Sequence, residues 1–234
     1  DDLKNAEFST RKVIELKPDF AEAHLNLGII LQKRGKLEEA ELSTRKAIEL
    51  KPDFEKAYST LGNILSSLDK LKEAELSILK AIKIKPDFAE GYSNLGKLLH
   101  KKGKLKKAEI STRKAIELKK NYYEAYMNLG IILSDLGKPI EAEIAARRSI
   151  LLKDNNSASH LNLGCILRDL GKLKEAETAT RKAIDLNKNY YEAYANLGII
   201  LTEIGNLEEA KKNFQKCLEI NPNETCNIYP LLNI

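Results

Sequence analysis

Long apolar runs, clustered cysteines and paired histidines are all missing from this 234-residue chain. No stretch approaches the roughly 18 consecutive apolar residues of a membrane span, so no membrane partner is expected. The three cysteines, Cys165, Cys217 and Cys226, are odd in number and form no C-x-x-C pair. That argues against a disulfide framework or a zinc site and fits a reducing, cytoplasmic compartment. The three histidines, His24, His100 and His160, lie far from one another and from any second ligand at metal spacing. No Ser/His/Asp set, glycine-rich phosphate loop or paired carboxylates emerge, so the reading is no catalytic residue, no metal and no cofactor. Tryptophan is absent and aromatics make up 6%. The lysines therefore have few aromatic companions for stacking on single-stranded nucleic acid, and no nucleic-acid partner is expected. No signal peptide is visible, but the chain opens on Asp1 instead of Met, so that absence carries no weight.

The net charge of +5 is local in origin. Between Lys97 and Lys120 ten Lys and Arg face only Glu109 and Glu117, which leaves the remainder slightly acidic. A basic surface over the whole protein is thereby excluded. The cluster Lys97, Lys101, Lys102, Lys104, Lys106 and Lys107 is a candidate for attracting an acidic peptide or phosphate, against the plainer reading of a solvated surface.

What the chain does have is a period. The pair Leu27-Gly28 recurs as Leu61-Gly62, Leu95-Gly96, Leu129-Gly130, Leu163-Gly164 and Leu197-Gly198, always 34 residues on. A fixed period of this length marks a solenoid whose core runs from repeat to repeat. Six repeats follow: 21–54, 55–88, 89–122, 123–156, 157–190 and 191–224. Residues 1–20 align with the second half of a repeat. Residues 225–234, apolar and with Pro230 too early for another regular helix, read as a cap or an arm.

Each repeat predicts two amphipathic helices. Ala23, Leu27, Ile30 and Leu31 recur at three and four residues, and after Gly35 a second face gathers Leu37, Ala40, Ala47, Ile48 and Leu50. Gly35, Gly103, Gly137, Gly171 and Gly205, with Asp69 in the second repeat, stand where the first helix must stop. Asp19, Asp87, Asn121 and Asn189, each with a glutamate three residues on, read as N-caps. Pro18, Pro52, Pro86 and Pro222 end second helices, and Pro139 fits a first turn. Gly28 and Ala40 let the two helices approach closely. Glu41–Arg45, Glu109–Arg113, Glu143–Arg147 and Glu177–Arg181 are surface i,i+4 pairs.

On these residues the repeat resembles the tetratricopeptide repeat, a helix-turn-helix unit of the same length. Leu27-Gly28, Ala40, Ala47 and Pro52 stand where that family's pattern has them. The first-helix Trp is replaced by His24, Tyr58, Tyr92, Tyr126, His160 or Tyr194, and only Phe214 keeps the second-helix aromatic. The resemblance implies an all-α, right-handed superhelical solenoid whose first helices line a concave groove. In the first repeat Glu22, Leu25, Asn26, Ile29, Gln32 and Lys33 would face it.

The groove then carries the functional candidates. Asn26, Asn94, Asn128, Asn162 and Asn196 form a row broken by Thr60. Each amide offers a donor and an acceptor, so the row suits an extended peptide backbone; the alternative is local bonding between repeats. The row is similar to the asparagine ladder in the repeat region of O-linked N-acetylglucosamine transferases. Leu25, Ile29, Met127, Ile131, Leu161 and Ile199 would select apolar side chains, leaving the groove polar and basic in the second and third repeats. The expected function is a non-catalytic scaffold for a protein or peptide partner. The alternative is the substrate-recruiting region of a larger enzyme, such as a glycosyltransferase. Self-association through the solenoid ends or the 225–234 arm is a further expectation.

Overall fold

The computed structural model describes residues 2–224, and the expected cap or arm at 225–234 lies outside them. The described residues form thirteen α-helices, a closing 3-10 turn and no strand. The chain divides into two compact units after Lys120. The first holds α1 (Asp2–Leu16), α2 (Ala21–Lys33), α3 (Leu37–Leu50), α4 (Glu55–Ser67), α5 (Leu71–Ile84), α6 (Ala89–Lys101) and α7 (Leu105–Leu118). The second holds α8 (Tyr123–Asp135), α9 (Pro139–Leu152), α10 (Ser157–Asp169), α11 (Leu173–Leu186), α12 (Tyr191–Ile204) and α13 (Leu207–Ile220).

Within each unit the helices pair in chain order. The hairpins α2–α3, α4–α5 and α6–α7 stack so that each second helix packs on the next first helix, and α2, α4 and α6 lie side by side. The second unit repeats this with α8–α9, α10–α11 and α12–α13. This is an all-α helical repeat solenoid.

Why the hairpins close so tightly is visible at the glycines. A Cβ on Gly28 would sit 2.2 Å from the Thr44 hydroxyl and 3.2 Å from the Ala40 carbonyl oxygen. A side chain there would have to displace the Thr44 hydroxyl and press on the Ala40 carbonyl. Each first helix ends in a Schellman turn. Gly35 donates its N–H to Gln32 and Lys36 donates to Leu31, with Gly35 left-handed at φ 74°. Asp69 adopts the same conformation at φ 60° and is the non-glycine residue in the described chain that does so. Asp tolerates this region better than bulky residues.

The N-termini correct the sequence reading by one position. The N-caps are Phe20, Phe54, Phe88, Tyr122, Asn156 and Tyr190, not the Asp or Asn before them. Only Asn156 among these caps with its side chain, accepting from the Ser159 N–H at 2.8 Å. Phe54, Phe88 and Tyr122 are buried at this position, whereas Phe20 stays exposed. Phe54 packs with Leu25, Ala47 and Ala57, bridging one repeat to the next. Burial of a ring outweighs the roughly 1 kcal/mol a polar cap supplies.

The outer surface is tied by ion pairs that the sequence showed only in part. Arg45 bonds Glu41 in its own helix and reaches Glu73 of the next second helix, while Lys70 reaches back to Glu41 at 2.9 Å. In the second unit Arg147, Glu143, Lys172 and Glu175 repeat the arrangement. The hydrogen bond from Lys70 holds the Glu41 carboxyl below the usual range, with burial opposing and Arg45 adding to it. Lys172 and Arg147 do the same for Glu143. A carboxylate whose folded pKa is depressed stabilises above its unfolded pKa and loses that contribution as pH falls through the folded value. The urea midpoint is therefore expected to stay level from neutral pH down to about 5 and to drop below the ordinary glutamate value of about 4.3. Glu143→Gln should start lower at pH 7, by about 0.2–1 kcal/mol, and show a shallower acid limb. An unchanged acid limb would remove these pairs from the stability account.

Candidate functional site

The first helices carry the site residues expected from the sequence. In α2 the buried residues are Ala21, Ala23, Leu25, Leu27, Gly28 and Leu31, which leaves Asn26 and Lys33 exposed and Ile29 half-buried. The same registers in α4 and α6 expose Asn63, Ser67, Lys97 and Lys101 at least in part. In the second unit they present Met127, Ile131, Cys165 and Ile199.

The first unit holds a polar cleft of about 360 Å³, lined by Gln32, Asn63, Ser66, Ser67, Asn94, Lys97 and Lys101 together with Ile78 and Leu98. Lys101 donates to the Ser66 carbonyl at 2.7 Å and pairs with Asp69 at 3.1 Å. Ser66 and Ser67 were not singled out from the sequence; the signal was their place at the groove registers. The basic cluster does not gather at one spot. Lys97 and Lys101 line the cleft, Lys102 bonds Glu75, and Lys104, Lys106 and Lys107 lie exposed on the turn and on α7.

The asparagines differ in what they have left to offer. Asn26 is exposed. Asn94 Nδ2 donates to the Ser59 hydroxyl at 2.8 Å, and Asn162 Nδ2 donates to the Met127 carbonyl at 3.2 Å. Both bonds tie a first helix to the one before it, and among the described residues no bond engages the Oδ1 of either amide. Asn128 is buried and bonded. Asn196, 5% exposed, donates from Nδ2 to the Thr180 hydroxyl at 3.0 Å and accepts at Oδ1 from Arg168 at 2.7 Å. Its amide is already paired at both ends.

The apolar residues separate in the same way. Leu25 and Leu161 are buried in the core clusters of their units and form floor. Ile29, Met127 and Ile199 are half-buried, and Ile131 is the most open. Cys165, half-buried beside Leu161 and Ile199, has its thiol pKa pushed up by burial, which makes it a small apolar surface and a poor nucleophile at neutral pH. Cys165 and Cys217 carry no disulfide. His24 and His160 set a ring nitrogen 2.8 and 2.7 Å from the carbonyls of Pro18 and Asp154, six residues upstream. Tyr194 makes the same bond through its hydroxyl to Lys188. The histidines thus replace a tyrosine in a structural contact. No helix among the described residues is long and apolar enough to cross a membrane.

Tetratricopeptide repeat profiles match residues 21–54, 55–88, 77–110, 123–156, 157–190 and 191–224. The chain belongs to the tetratricopeptide repeat family. Among solved structures, the Cut9–Hcn1 hetero-tetramer of the APC/C is similar at TM-score 0.90 and 18% identity, over 99% of this chain and 46% of that one. This chain thus spans under half the length of that protein. YrrB, described as a tetratricopeptide protein with an unusual peptide-binding site, matches at TM-score 0.58 and 24% identity over 80% of this chain and 96% of that one. The pilF protein of Pseudomonas aeruginosa matches at TM-score 0.72 and 19% identity over 86% and 92%. At these identities the likeness shows the fold alone. No curated protein matches the chain in sequence.

The first unit therefore carries a polar cleft with two lysines, and in the second unit the partly exposed apolar residues are Met127, Ile131 and Ile199.

Proposed function

We propose that the array is a non-catalytic interaction scaffold whose grooves take extended peptide segments of a protein partner. The observation that carries this reading is the pair of amides whose Oδ1 acceptors are uncommitted, Asn94 and Asn162, with the polar cleft of the first unit beside Asn94. Such an acceptor takes a backbone N–H whatever the peptide's sequence. Asn26 contributes similarly from its exposed position. Asn196 instead ties its helix to Thr180 and Arg168, and Asn128 is buried, so fewer asparagines serve the ligand than the row contains. In the second unit Met127, Ile131 and Ile199 then select apolar side chains over the floor made by Leu161. In the first, the lining of Gln32, Asn63, Asn94 and Lys97 favours polar ones. Each groove hydrogen bond nets about 0.5–1.5 kcal/mol, which against the cost of ordering a flexible peptide places affinity around micromolar.

The test is a titration with a peptide selected by the full chain. Asn162→Ala or Asn94→Ala should weaken its affinity about twofold to tenfold, each 1.4 kcal/mol being a factor of ten. Helicity should be unchanged. Affinity that neither substitution moves would retire the role of these amides.

A further inference from the structure

In the second unit, α9, α10 and α11 enclose a cavity of about 370 Å³, a volume in the range of small-molecule sites. Ile150 of α9, Leu163 and Leu167 of α10 and Ala179 of α11 give it apolar walls. Two polar side chains in the lining are already engaged. His160 has its Nε2 at 2.7 Å from the Asp154 carbonyl oxygen, and the Thr178 hydroxyl donates to the Lys174 carbonyl at 3.0 Å.

The charged residues of the lining are unequal. Arg147 and Glu175 bond each other at 2.6 Å, and Arg147 also pairs with Glu143. Lys182 stands two turns, about 10 Å, further along α11 from Glu175. It makes no ion pair or hydrogen bond among the described residues. The acids at that end are held elsewhere. Asp185 feels the Lys182 charge but accepts from Lys188 at 2.7 Å, and Asp154 lies 3.3 Å from the His160 ring nitrogen. The slot thus has a neutralised pair at one end and an ammonium at the other. The first unit supplies the contrast. Its corresponding cavity, of about 310 Å³, is lined by Glu49, Tyr58 and Ser77, where the second unit carries Leu151, His160 and Ala179. Glu49 repels an anion from the first cavity, and Leu151, 74% exposed, has no charge to do so.

We propose that the cavity between α9 and α11 binds a small carboxylic acid with an apolar body. The hydrocarbon lies against Ile150, Leu163, Leu167 and Ala179, and the carboxylate is directed to Lys182. Burial of the body supplies the affinity, and the ammonium selects an anion over a neutral ligand of the same shape. None of these residues belongs to the groove, so the inference stands apart from the peptide-binding reading.

Amide NMR titrations of the full chain with 3-phenylpropionate, and with 3-phenylpropanamide as its neutral isostere, test it. Saturable shifts are expected around Ile150, His160 and Ala179, with dissociation around millimolar, the range open to a ligand of this size. The acid should bind about twofold to fivefold tighter than the amide. Lys182→Gln should abolish that difference and leave the affinity for the amide as it was. Lys182 is exposed and unpaired, so folding is not at stake. Ala179→Leu, which places a side chain in the slot, should weaken both ligands about tenfold or more without lowering the thermal midpoint. Should that variant fail to fold, Lys182→Gln decides alone. Absence of saturable shifts, equal binding of acid and amide, a Lys182→Gln protein that keeps the preference, or shifts confined to Met127, Ile131 and Ile199 would each overturn the proposal.

Discussion

Phe214→Ala is expected to destabilise the last repeat by about 3–5 kcal/mol, the cost of truncating a large buried aromatic. Phe214 is 1% exposed and is the largest fully buried side chain. Its ring lies against Gly198, where an added Cβ would come within 2.4 Å of it, and against the cluster of Leu197, Leu201, Ala210 and Cys217. The equivalent place holds Thr44, Thr112, Thr180, Ile78 or Ala146 in the other repeats, so the last hairpin depends on a ring that its neighbours do without. Stability in a solenoid is a sum of repeat and nearest-neighbour terms. The loss should therefore be local: amides of α12 and α13 exchange faster while those of α4 to α7 keep their protection. The converse substitution, Gly198→Ala, overpacks the same contact and should cost about 1–3 kcal/mol. Gly130→Ala comes no nearer than 3.0 Å to the Asn162 amide and 3.4 Å to the Ala142 carbonyl oxygen and should cost less. Uniform loss of protection across both units would contradict this picture.

Ile131→Asp is expected to weaken binding of a groove peptide about tenfold or more. Ile131 is the most open of the apolar groove residues in the second unit, so the substitution is accommodated in the free protein. Under a bound apolar side chain the carboxylate would lose its water without gaining a partner, at several kcal/mol unless it protonates. Asn162→Ala removes only one hydrogen bond and should have the smaller effect. The order of the two, read from the same titration, separates a groove that works by apolar burial from one that works by its amides.

The fold was legible because the period was. Leu-Gly at 34-residue spacing, the stop glycines and the prolines each fix one step of the repeat, and the helices begin and end around them. The N-caps were misread because Asp87 and Asn121 have the chemistry of caps, while Phe88 and Tyr122 take the position and are buried there. Local propensity gave way to burial. The site was less legible. The asparagine row looks uniform as a sequence, yet Asn196 is closed by Thr180 and Arg168 and Asn94 is left with an acceptor to give. That difference depends on which residues sit one repeat away, information spread over some thirty positions. The cross-repeat pairs Arg147–Glu175 and Lys172–Glu143 escaped for the same reason, since 28 or 29 residues separate their members.

Site-specific photo-cross-linking addresses the central claim most directly. A cross-linking residue is placed singly at Asn63, Ile131 and Ile199 on the inner face and at Leu42 and Ile144 on the outer one, and a bound peptide is irradiated in each variant. Capture at the inner positions, with little at the outer two, is what an array that binds through its grooves predicts. Capture confined to Leu42 and Ile144 would contradict it.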